Sequence, residues 1–87
     1  MTFIASSFVF NPLEGIHLAI SNKGNVLKKL NRFQDSLASY YKAIELNPRY
    51  AEAYSNLGIL FYELKHYEES LANYDKAIDL DPDYAEA

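Results

Sequence analysis

An internal period constrains this chain more than any other feature, because a sequence that repeats itself must fold into units that repeat with it. Laying residues His17–Tyr50 over Ala51–Tyr84 needs no gap and leaves 15 of 34 positions identical. The identities include Ser21/Ser55, Asn22/Asn56, Gly24/Gly58, Ser36/Ser70, Tyr40/Tyr74, Ala43/Ala77 and Pro48/Pro82. Ala85-Glu86-Ala87 repeats Ala51-Glu52-Ala53, so a third copy begins at the end of the sequence. A unit of this size has too little core of its own, and units in such an array are stabilised by burying apolar faces against their neighbours.

Each copy reads as two helices. In the second, Ala53, Leu57, Leu60, Phe61 and Leu64 recur at three- and four-residue spacing, and Leu71, Tyr74, Ala77 and Ile78 do so again after a break at Lys65-His66. Pro48 and Pro82 stand where the periodicity stops, in Asn-Pro and Asp-Pro pairs that disfavour helix in the preceding residue. The spacing predicts helices over 13–30, 34–46, 51–64 and 67–80. Asn22-Lys23-Gly24-Asn25 would read as a turn by dipeptide rules, but Gly24 aligns with Gly58, in the middle of a clear helical pattern. Glycine there costs about 1 kcal/mol relative to alanine. The expected compensation is steric: small residues at Gly24/Gly58, Ser36/Ser70 and Ala43/Ala77 allow a close approach of paired helices, and Leu27/Phe61 and Tyr40/Tyr74 fill the space around them.

The second copy, Tyr54…Leu57-Gly58…Phe61…Ser70…Tyr74…Ala77…Pro82, closely resembles the tetratricopeptide repeat, a helix–turn–helix unit with spaced aromatic, Leu-Gly, Tyr, Ala, Phe, Ala and Pro positions. The resemblance covers residues 17–87. The first copy departs from it at Ile20 and Lys23, and both copies carry serine (Ser36, Ser70) where alanine is usual. It implies an all-α fold, a right-handed superhelical stack of antiparallel helix hairpins. The expected organisation is an apolar arm over 1–12 and a helical repeat domain over 13–87, made of repeats 17–50 and 51–84 and a stub at 85–87.

Composition narrows the function classes. Eight basic against twelve acidic side chains give a net charge of −4, which does not suit a general nucleic-acid or acidic-membrane binder. The charge is uneven: residues 1–50 hold six basic and three acidic groups (+3), and residues 51–87 hold two basic and nine acidic (−7). There is no cysteine for a disulfide or a thiolate site, and no apolar run approaches the roughly 18 residues of a membrane span. Phe3, Ile4, Phe8, Val9 and Phe10 make the first ten residues apolar, but no positive charge precedes them and no small-residue cleavage site follows, so an arm packed on the repeats is expected rather than a secretory signal, and a cytoplasmic location. Asn11-Pro12-Leu13-Glu14 has the form of a helix start, with asparagine as N-cap and proline at the first helical position.

Catalytic and metal chemistry is not expected. His17 and His66 are 49 residues apart and neither has a metal partner one helical turn away. Asp79, Asp81 and Asp83 alternate as a calcium loop begins, but Pro82 intervenes and no glycine follows. None of the serines stands in Gly-x-Ser-x-Gly. Lys23, Lys28, Lys29 and Arg32 form a basic cluster beside Phe33 that could touch RNA, but the acidic second half weighs against it.

Stacked helix pairs present a concave face to extended peptides. The resemblance implies that the first helix of each pair lines it, which on matching positions gives Ser21, Asn25, Lys28 and Lys29 from the first copy and Ser55, Asn56, Ile59, Tyr62 and Glu63 from the second. Within the family, a carboxylate clamp holds the acidic C-termini of heat-shock chaperones. Asn25 and Asn56 fall on two of its asparagine positions, but Ser21 replaces its first lysine and the repeat with its other basic residues is not in the sequence, so chaperone binding is not expected. The resulting expectation is a noncatalytic protein-interaction module without a cofactor, whose partner is a peptide or protein segment. Two alternatives stand beside it. One is a self-assembling unit in which Leu71, Tyr74 and Ile78 of the last helix are uncovered and pair with another copy, by a two-fold contact in preference to a head-to-tail one. The other is the recognition arm of a larger enzyme, as in O-linked N-acetylglucosamine transferases.

Overall fold

In the computed structural model, residues 12–82 are described, with side chains from Gly15 onward. Four helices follow one another: α1 (Pro12–Lys29), α2 (Phe33–Leu46), α3 (Ala51–Glu63) and α4 (Tyr67–Leu80). Among the described residues there is no strand. The bounds fall within one residue of those expected from the periodicity, and Gly24 lies inside α1. The expected arm and its Asn11 cap, up to residue 11, and the stub at 85–87 lie outside the described residues, while Pro12 opens α1.

The helices pair as the repeat requires. α1 packs along α2 and α3 along α4, and the two hairpins meet mainly where α2 faces α3. At that junction Tyr40, Leu57, Leu60 and Phe61 form the buried core, flanked by the half-buried Phe33, Leu37, Ile44, Tyr54 and Leu64. Burying apolar side chains of this size stabilises by about 1.5–3 kcal/mol each, so the junction between repeats, rather than either hairpin alone, holds most of the apolar core.

Within each hairpin a glycine meets a tyrosine. A Cβ added to Gly24 would lie 2.7 Å from the Tyr40 ring, and one added to Gly58 would lie 2.8 Å from the Tyr74 ring. A Cβ fits there only if the tyrosine ring shifts, which accounts for glycine in two helix interiors despite its low helix propensity. The close approach also brings a serine within reach of the facing backbone. Ser36 Oγ donates to the Gly24 carbonyl at 2.7 Å, and Ser70 Oγ to the Gly58 carbonyl at 2.7 Å. Both serines are buried, so the hydroxyl that would be costly without a partner is satisfied. Serine in place of the usual alanine thus adds a hydrogen bond across each hairpin.

The turns inside the hairpins repeat as well. Asn31 (φ 63°) and Lys65 (φ 66°) hold left-handed backbone at equivalent positions. Arg32 N–H donates to the Leu27 carbonyl and Asn31 N–H to the Lys28 carbonyl, and the second copy repeats both bonds, His66 to Phe61 and Lys65 to Tyr62. This is a Schellman closure, which satisfies the last carbonyls of a helix. Asparagine tolerates the left-handed region; lysine pays a steric cost there. After α2 and α4 the chain becomes extended at Asn47 (φ −143°) and Asp81 (φ −149°), as residues before proline do.

Four measurements check this account. Gly24→Ala should destabilise by about 1–3 kcal/mol, because the fully buried Tyr40 ring cannot retreat. Gly58→Ala should cost less, since the half-buried Tyr74, unlike Tyr40, has room to swing outward, while the roughly 1 kcal/mol of helix propensity that alanine recovers is common to both sites. Lys65→Gly should stabilise by about 1 kcal/mol in urea unfolding by relieving the left-handed backbone. The fourth check is pH. Burial pushes the Tyr40 hydroxyl above its ordinary 10.0, with the Glu63 carboxylate adding and Ser36 opposing, and burial, followed by Tyr62 and Glu63, raises Tyr74. A phenol whose folded value is raised favours the neutral native form. Its stabilisation is therefore complete below the unfolded value near 10 and is lost as pH rises through the folded values. Urea midpoints should hold level to that point and then fall, less steeply in Tyr40→Phe.

Candidate peptide-binding face

The first helices of the two hairpins, α1 and α3, each carry a stripe at four- and three-residue spacing. On α1 it runs through Ser21, Asn25 and Lys28, and on α3 through Ser55, Ile59 and Tyr62, the same repeat positions. Asn56 and Glu63 lie one position further round α3 and reach back toward α1. Chemically the two stripes differ: that of α1 is amide and ammonium, and that of α3 is apolar and phenolic.

Ser21 is only 1% exposed, so it offers a ligand no surface. Its hydroxyl accepts from Asn56 Nδ2 at 3.2 Å, which ties the two stripes together and leaves the half-buried Asn56 its carbonyl oxygen. Asn25 is held from the other side. Its Oδ1 accepts the Tyr40 hydroxyl, so its amide NH2 is left to donate. Lys28, with a side chain 18% exposed, places Nζ 3.7 Å from a Glu63 carboxylate oxygen across the repeat boundary. Lys29 is exposed next to it. Asn25, Lys28, Lys29, Asn31 and Glu63 together line one hollow of about 430 Å³.

Four of the nine residues expected to line the face therefore converge on this hollow: Asn25, Lys28, Lys29 and Glu63. Ser55, Asn56, Ile59 and Tyr62 stay accessible on α3 outside it, and Ser21 lies beneath Asn56. Tyr62 sets its ring edge-on to Tyr67 at 5.5 Å, where α3 turns into α4. Two contributors escaped the sequence reading. Asn31 lines the hollow from the left-handed turn position, a place that Asn-x after the last periodic residue signals. Tyr40 belongs to the core by its ring and to the hollow by the hydroxyl that orients Asn25.

Lys28 and Lys29 also occupy the last turn of α1, where the negative end of the helix dipole favours cations. One carboxylate, Glu63, faces two ammonium groups, so the hollow keeps a net positive charge with an amide donor aimed into it. That is the donor set for a carboxylate or for a peptide backbone carbonyl.

The two histidines lie elsewhere. His17 stands edge-on to Tyr50 at 4.7 Å, with Nε2 3.3 Å from the Asn47 side-chain nitrogen, and His66 stacks on Phe61 at 6.0 Å. Each fastens a helix to a turn. Among the described residues no three metal-ligating side chains gather. None of the described helices is long and apolar enough to cross a membrane.

Comparison with known proteins agrees with this geometry. A family model described as a TPR repeat matches residues 24–65, and a second, the tetratricopeptide repeat, matches residues 51–84. No curated protein matches the chain. The models overlap over α3 and the turn that follows it, and together span both Gly–Tyr crossings; the chain belongs to the tetratricopeptide repeat family.

Proposed function

We propose that the chain is a noncatalytic interaction module that holds an extended protein segment along the concave side made by α1 and α3, with an acidic residue of that segment at the hollow between them. Repeats of this family generally mediate contacts between proteins, which supports the class of function. The observation that carries the finer reading is the net positive hollow at the repeat boundary, where Lys28, Lys29 and the amide of Asn25 face the single carboxylate of Glu63. A ligand carboxylate replaces Glu63 as partner of Lys28, and Ile59 and Tyr62 offer apolar contact to neighbouring ligand side chains. The asparagines are already oriented, by Tyr40 and by Ser21, so little side-chain entropy is lost on binding.

The test uses a display library of random dodecapeptides selected on the whole chain, followed by fluorescence anisotropy with the selected peptides. Acidic residues should be enriched, binding should weaken with salt, and Lys28→Glu/Lys29→Glu should lower affinity by about tenfold or more while the helical circular dichroism is kept. Equal binding by the double variant rejects the hollow as the site.

A further inference from the structure

The repeat makes one comparison possible that no single surface patch would allow. Shifting by one repeat maps Phe33, Leu37, Tyr40 and Ile44 of α2 onto Tyr67, Leu71, Tyr74 and Ile78 of α4. The first four pack against Leu57, Leu60 and Phe61 of α3. Of the second four, Tyr74 is half-buried against its own hairpin, but the other three have no such cover: Leu71 is 62% exposed, Tyr67 56% and Ile78 43%. The same shift maps Leu57 and Leu60 of α3 and Leu64 at its C-cap onto Lys23 and Val26 of α1 and Leu30 just past its end, where Val26 is 57% and Leu30 61% exposed. Each chain therefore carries much of its own α2–α3 junction a second time, one half on α4 and one on α1, both largely uncovered, although Leu27, at the position of Phe61, is buried within its own hairpin.

We infer that these two faces bind each other between copies: the outer face of α1 on one chain docks on the outer face of α4 of the next, in the arrangement by which α3 docks on α2 within a chain. Charge supports this occupant over the others. The apolar stripe of α4 is flanked by Glu68, Asp75 and Asp79, each one residue on from a stripe position, whereas α1 carries Lys23 on its outer stripe and Lys29 beside it, Lys28 and Arg32 being paired with Glu63 and Asp35 of the same chain. A two-fold contact of α4 with α4, the pairing favoured from the sequence, sets acid against acid. The head-to-tail contact sets the acidic half of one copy against the basic half of the next. Lys23 stands where α3 has the fully buried Leu57, so its stem covers Tyr74 and its ammonium reaches the acidic flank. This junction is accordingly weaker than the internal one and sensitive to salt. A heterologous contact of this kind does not close on itself, and assembly proceeds to short chains of copies.

Sedimentation equilibrium of the full chain, from micromolar to near-millimolar concentration, should show an average mass that rises past the dimer without a plateau. Val26→Glu, which spoils the α1 face, and Leu71→Glu, which spoils the α4 face, should each be monomeric alone. Mixed, they should form a one-to-one dimer, because each retains the face the other lacks. Lys23→Leu should tighten association about tenfold or more. Both glutamates enter exposed positions, and Leu30→Glu and Ile78→Glu repeat the test if either variant loses helicity. A wild-type monomer at every concentration overturns the inference, including the case in which a segment of the same chain covers α4. So does a Val26→Glu chain that dimerises alone, which is the two-fold contact, or a mixture that stays monomeric.

Discussion

Two glycines facing two tyrosines across a helix pair set the spacing on which everything else rests. With no Cβ at Gly24 or Gly58 the paired helices come close enough for an aromatic ring to lie on bare backbone, and a serine hydroxyl reaches a helix carbonyl. The hydrogen bond and the ring contact are mutually dependent: a wider crossing would break the 2.7 Å bonds and leave buried hydroxyls unsatisfied. In turn the crossing sets how α2 presents Tyr40 to α3, and so the geometry of the junction that contains most of the core.

The two copies use this crossing differently. Tyr40 is fully buried because α3 covers it, and its hydroxyl has an acceptor in Asn25. Tyr74 occupies the same place in the second hairpin, but the position of Asn25 is taken by Ile59, and Tyr74 is only half-buried. One aromatic position thus acts as a core residue with a polar duty in the first copy and as part of an open face in the second. The difference comes from the neighbours, since the tyrosine and its glycine are identical.

Most of the fold was legible because the period converts one clear copy into a template for the other. It overruled the turn that Asn22-Lys23-Gly24-Asn25 suggests, and α1 does run through Gly24 without a break. Helix ends were legible from Pro48 and Pro82, whose effect on the preceding residue is local. The candidate face was only partly legible. Helical spacing places Ser21 on the same stripe as Asn25 and Lys28, yet Ser21 is buried because Asn56, 35 residues away, closes over it. The pairing of Lys28 with Glu63 also spans the repeat boundary. Spacing within a helix says which residues share a face. It does not say how near the next helix lies, and at the α1–α3 boundary that distance decides which polar groups are spent on one another.

That same boundary separates two surfaces that would otherwise compete. On α1 the groove stripe, Asn25 and Lys28, lies about 150° around the helix from Val26 and Leu30, by the 100° turn per residue that 3.6 residues per turn implies. A side chain on one stripe does not reach the other, so groove chemistry and end-face chemistry can differ without conflict. The sequence differences between the copies follow this division. On the groove side amide and lysine in the first copy become isoleucine and tyrosine in the second, which changes the surface chemistry from one repeat to the next. On the packing side Lys23 replaces the position of Leu57, which weakens the outer face of α1 relative to the core surface of α3. The identities that remain, glycine, serine, tyrosine and alanine at the crossing, are the ones that neither surface can alter without moving the helices themselves.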